Sequence, residues 1–128
     1  WNAVVQGIAK NCASVLGVGL GQQKCMTANF RKMILLQAGH GVEQQPRKYE
    51  TGLFGTLIIQ LPSKHTCGSM NIEFGGDTKR FNFSESSGKE VFATAFYSDC
   101  EYQFSPVEEG WKLCLEYDLF ISANNLIS

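Results

Sequence analysis

The sequence has only two histidines, no Cys-x-x-Cys pair, no basic run longer than two residues and no apolar run near the length of a membrane span. Each absence closes off a class of function. Without Cys-x-x-Cys spacing, neither a structural zinc site nor a thioredoxin-like motif is readable. Arg31-Lys32, Arg47-Lys48 and Lys79-Arg80 are the densest basic spots, and the net charge is −1, so no nucleic-acid partner is expected. A spanning helix needs about 20 apolar residues, and a signal peptide needs a basic n-region. The chain shows neither, so no membrane partner is expected. No internal repeat or low-complexity segment competes with a globular reading.

What is present fits one domain over residues 1–128, with 44% hydrophobic and 18% charged residues and enough chain to bury a core. The start at Trp1 rather than Met suggests a domain excised from a longer protein. The five cysteines are odd in number and widely spaced. Cys12 and Cys114 fall in apolar patterns and read as small buried thiols. A reducing, intracellular compartment, cytoplasmic or nuclear, is expected, with room for one disulfide.

Trp1, Val4, Val5, Ile8, Cys12, Val15 and Leu16 recur at helical spacing, and Gly17, Gly19 and Gly21 then stop the helix. Cys25 to Leu36 turns extended and ends in an unbroken apolar run. Gln37 to Thr51 is polar and predicts a long loop, of a length that tends to be functional. Gly52 to Leu61 is the strongest strand, closed by the turn residues Pro62 to Gly68. Met70, Ile72 and Phe74 alternate before Gly75-Gly76-Asp77, and Phe81 and Phe83 return, which predicts a hairpin. Val91 to Tyr97 is a further strand. Tyr97 to Leu119 then predicts a strand, a Pro106-to-Gly110 link and a second strand, as a hairpin or a sheet-to-sheet crossing. One helix followed by seven or eight strands, with no second helix for a parallel crossover, predicts a mainly β antiparallel sandwich or jelly roll.

Four blocks carry a resemblance. Gly-Leu-Phe-Gly-Thr-Leu-Ile-Ile-Gln-Leu-Pro-Ser (52–63), Phe-Tyr-Ser-Asp-Cys-Glu (96–101), Pro106-Val107 with Gly110-Trp111, and Leu113-Cys114-Leu115 resemble iron- and 2-oxoglutarate-dependent oxygenases of the prolyl-4-hydroxylase-like family. The resemblance covers nearly the whole chain. It implies a double-stranded β-helix, that is, a jelly roll, with an N-terminal helix. In that family a His-x-Asp pair and a distal His hold Fe(II), with open positions for oxoacid and oxygen. Carried over without a gap, the resemblance puts Gln44 at the first His, Pro46 at the Asp and Tyr102 at the distal His. All three ligands are therefore missing. The family's basic residue, which pairs with the far carboxylate of 2-oxoglutarate, falls ten positions later on Lys112.

The leading expectation is a catalytically inactive oxygenase-like domain serving as a protein-interaction or scaffolding module. A protein or peptide partner would meet the mouth of the roll, lined by the Gln37–Thr51 loop, Tyr102 and Lys112. No cofactor is expected under this reading. A second expectation is a divergent hydroxylase with relocated ligands drawn from His40, Glu43 and Glu50, which would require Fe(II) and 2-oxoglutarate. A third is a metal-free roll binding a small carboxylate or sugar through Lys112 and Tyr102. Against these stand plain alternatives. His40 and His65 read best as surface histidines, and Lys112 could point outward or pair with Glu101 or Glu116.

Overall fold

Helical spacing of apolar residues produces α1 (Asn2–Val15), whose buried contacts come from Val5 and Ala9, one turn apart, with Ile8 beside them. Trp1 and Val4, expected on the stripe, are exposed, so the buried face is narrower than the periodicity suggests. The computed structural model describes residues 1–15, 26–39, 42–43, 50 and 52–121. The expected stop at Gly17 to Gly21 lies outside the described residues.

Among the described residues nine strands follow: β1 (Met26–Gln37), β2 (Val42–Glu43), β3 (Leu53–Gln60), β4 (His65–Cys67), β5 (Met70–Phe74), β6 (Asp77–Phe81), β7 (Phe92–Tyr97), β8 (Glu101–Phe104) and β9 (Val107–Ile121). They form two antiparallel sheets. One runs β1-β9-β3-β7, with β4 also paired to β9, and the other runs β2-β8-β5-β6. The fold is mainly β with one N-terminal helix, in a jelly-roll arrangement as expected.

Two faces of the larger sheet are buried, and they differ in chemistry. On one face Leu57, Ile59, Leu115, Tyr117 and Leu119 pack beneath α1 with Met26 and Ala28. Gln6 fixes the helix to the free edge of β1: its Nε2 donates to Ala28 O at 2.9 Å, and Ala28 N donates to its Oε1 at 3.0 Å. An edge strand otherwise leaves such backbone groups open to pairing. The Trp1 indole N–H donates to the Tyr117 hydroxyl at 3.0 Å. The opposite face turns into the roll. There Ile34, Leu36, Ile58, Phe96 and Cys114 meet Met70, Tyr102 and Phe104 of the smaller sheet.

One open alternative is resolved and two expectations change. Residues 101–104 and 107–121 do not pair with one another, because β8 joins β2 and β5 while β9 joins β1, β3 and β4. The Ser105-Pro106 link is thus a crossing between sheets. Within the expected Gln37–Thr51 loop, Val42 and Glu43 pair with Phe104 and Gln103. The expected turn at Pro62 to Gly68 contains β4, paired to the start of β9. The hairpin is as read: Phe74 faces Asp77 across Gly75 and Gly76, whose φ of 58° and 88° suit a primed two-residue turn. At Gly110 (φ 78°) a Cβ would sit 2.1 Å from Lys64 O, so only glycine lets β9 run this close to the Lys64 backbone.

Candidate functional site

Residues two apart on a strand share a face, so β9 projects Lys112, Cys114 and Glu116 together. That face is the interior of the roll. Lys112 is 2% exposed and Glu116 1%, deeper than most of the apolar residues between them. Four residues along a strand span about 13 Å, which keeps this cation and this carboxyl apart. Each has its own partners.

At one end of the interior, Lys112 Nζ donates to Gly68 O at 2.8 Å and lies 4.4 Å from the centroid of the Phe104 ring. It forms no ion pair with Glu101 or Glu116, and it does not point outward. Burial holds its pKa below the ordinary 10.5. Gly68 makes the contact feasible, since a Cβ there would fall 2.8 Å from Val107 and 3.8 Å from the Lys112 chain.

At the other end, the Tyr102 hydroxyl donates to Glu116 Oε1. Arg31 Nε lies 3.2 Å from Glu116 Oε2, and its Nη1 lies 3.7 Å from Asp118. Arg31 reaches inward because β1 bulges: Phe30 faces Tyr117 while Lys32 faces Glu116, which leaves Arg31 as the extra residue. Tyr102 packs on Phe96 (centroids 5.3 Å) and Phe104 (5.7 Å). It belongs to the core and does not line an open mouth.

His65, read from sequence as a surface residue, is 3% exposed. Pairing of β4 to β9 turns its ring inward, where Nδ1 donates to Ser63 O at 2.8 Å. Its backbone N–H donates to Ser87 Oγ at 3.0 Å. Burial, and then the charge of Lys112, hold its pKa below 6.5. The unfolded chain therefore takes up a proton before the folded one does. Stability is complete above pH 6.5 and falls as pH drops through the window below it. His65→Gln should flatten that acid limb, as read by urea midpoints across a pH series.

The remaining sequence candidates separate. His40, Gln44 and Pro46 lie outside the described residues, as does the side chain of Glu43; Glu50 is exposed. Because β2 pairs with β8, the strand just ahead of Gln44 runs beside the strand that carries Tyr102. That is the neighbourhood the resemblance implies. Glu116 entered the sequence reading only as a conceivable partner for Lys112, although strict alternation already set it on the same face. Arg31 gave no signal, because a bulge cannot be read from periodicity.

The described residues do not fit an oxoacid as they stand. The space beside Lys112, bounded by Gln60, Met70, Phe83, Phe92 and Phe104, is about 10 Å³, the size of one water. Phe83 and Phe92 stack there with centroids 4.8 Å apart. Tyr102, which the resemblance puts at the distal ligand position, donates its hydroxyl to Glu116. Among the described residues no group of three or more His, Cys, Asp or Glu converges.

No family model matches the chain, and no curated protein matches it. Among solved structures it is similar to the crystal structure of a prolyl-4-hydroxylase from Pseudomonas putida, with a TM-score of 0.51 and 12% identity. The match covers 71% of this chain and 51% of that one, so the chain spans about half the length of that protein. At this identity the likeness is one of fold. It agrees with the oxygenase-like roll implied by the sequence blocks.

Proposed function

We propose that the chain is an oxygenase-fold domain without oxygenase chemistry, acting as a protein-interaction or scaffolding module. Activity resides in a few residues set on a fold, and the fold outlasts them. The observation that carries the reading is the interior of the roll. Tyr102, at the distal ligand position, is bound to Glu116, and Lys112, at the oxoacid position, is bound to Gly68 O. Free thiols at Cys67, Cys100 and Cys114 fit the reducing, intracellular compartment that this reading assumes. Among the described residues no helix is long and apolar enough to cross a membrane.

Calorimetry with Mn(II) and Fe(II), each with and without 2-oxoglutarate, tests the proposal alongside an assay of oxoacid decarboxylation. The expected result is no oxoacid-dependent metal binding and no decarboxylation. Tight metal binding with turnover overturns it and revives relocated ligands, for which His40→Ala is then the diagnostic variant.

A second reading, the metal-free carboxylate site, rests on Lys112 and requires the Phe83–Phe92 stack to open, because the space beside the ammonium is the size of one water. The ammonium has three donors and one oxygen acceptor among the described residues. A thermal-shift screen of small carboxylates separates the two. A shift that disappears in Lys112→Ala supports the ligand-binding roll, and no shift with any carboxylate leaves the interaction module.

A further inference from the structure

The face of the larger sheet that α1 covers does not end where the helix ends. Leu115, buried under α1, pairs with Met33, which is 61% exposed. From that pair onward the same face continues through Leu35, paired to Leu113, and Gln37, paired to Trp111. Leu35 is 54% exposed and Trp111 47%. With Ala38 and Gly110 these residues line an open groove of about 740 Å³ that contains no charged side chain. Single exposed apolar residues are ordinary, but three of them adjoining on two paired strands, with half-buried Leu113 between, form a patch of the kind that marks an interaction surface.

Continuity says what kind of element fits. On the covered half, this sheet face accepts a helix through Val5 and Ala9, with Leu115 beneath. The open half presents the same surface, rows of aliphatic side chains on β9 and β1, directly beyond Leu115. The strand entering the groove carries exposed Glu109 two residues before Trp111, on the groove face. We propose that the open half docks an amphipathic helix supplied in trans, lying beside α1, with a basic residue at the end that meets Glu109. This deepens the interaction-module reading by giving it a surface and a partner chemistry. It places the partner on the outside of the sheet and leaves the mouth of the roll uninvolved. Helix-in-groove recognition reads such partners by anchors at i, i+3, i+4 and i+7.

The test titrates the 128-residue chain with two leucine–lysine peptides of one composition, followed by amide and indole NMR shifts. One peptide has leucines at i, i+3, i+4 and i+7; in the other their order is scrambled. The ordered peptide should perturb Met33, Leu35, Leu113 and the Trp111 indole, and gain helicity on binding. Leu35→Lys should weaken binding at least about tenfold, as loss of a central anchor does. Trp111→Ser serves as the second variant if Leu35→Lys proves unstable. Equal binding of the scrambled peptide, or shifts confined to other residues, overturns the proposal. So does concentration-dependent self-association through these residues without peptide, which assigns the face to a second copy. Failure here leaves the metal and oxoacid result untouched, and turnover there would not alter peptide binding, so the two readings fail separately.

Discussion

Tyr102→Ala is expected to lower the stability of the fold by about 3–5 kcal/mol, as truncating a buried aromatic side chain does. The ring is in contact with Phe96 and Phe104, and its hydroxyl donates to Glu116 inside the roll. Tyr102→Phe separates the two contributions. It keeps the ring contacts and removes one donor from a buried carboxyl, which should cost about 1–3 kcal/mol. Urea unfolding of both variants, with Glu116→Gln closing a double-mutant cycle, measures the split. A loss below about 0.5 kcal/mol for Tyr102→Ala, the scale of a surface substitution, would show that the position is loosely held. The magnitude also bears on function. A ligand that had to displace Tyr102 would bind some two to nearly four orders of magnitude more weakly for the same contacts.

Legibility in the sequence followed the range of the interactions. Strands whose identity rests on alternation or on a continuous apolar run were readable: β3 from Leu53 to Gln60, and β9 across Lys112 to Tyr117. So was the β5–β6 hairpin, because Gly75-Gly76 supplies the two positive-φ positions of a primed two-residue turn, which few other residues tolerate. Features that depend on a distant partner were not. Ser105-Pro106 carries turn chemistry that serves a hairpin and a crossing equally, and only the pairing of β9 with β1 and β3 decides between them. His65 lies among turn residues and was read as solvated, yet three residues of pairing to β9 bury it. Arg31, itself exposed, brings its guanidinium to buried Glu116 at a bulge, which inserts a residue and shifts every later side chain to the opposite face. The motif blocks implied that Tyr102 and Lys112 line the mouth of the roll, and both are instead buried in its interior. Periodicity alone did not show that each would find a partner within the chain.

Lys112→Met is expected to stabilise the chain, by about 1–3 kcal/mol, because burying an ammonium without a carboxylate costs more than one hydrogen bond and one ring contact return. Met has nearly the volume of the lysine stem and needs no partner, although Gly68 O then loses its donor. The pH dependence gives a second readout. Lys112 has a folded pKa below 10.5, so between that lowered value and 10.5 the unfolded chain holds one more proton, and stability rises with pH. Cys114, two residues on, is pushed by burial from 9.0 up to about 11. Between those values the folded chain holds the extra proton, and stability falls with pH. The two slopes oppose each other, each approaching about 1.4 kcal/mol per pH unit where one protonation state fully differs. In the unmodified chain they largely cancel where their windows overlap. Lys112→Met should expose the falling limb, and Cys114→Ala the rising one, in urea midpoints measured through the alkaline range. A destabilised Lys112→Met would show that the ammonium is better compensated than Gly68 O and the Phe104 ring alone provide. A stabilised Lys112→Met would mean that the folded state carries this lysine at a net cost. It would then have to be retained for something other than stability, and the carboxylate screen looks for such a use.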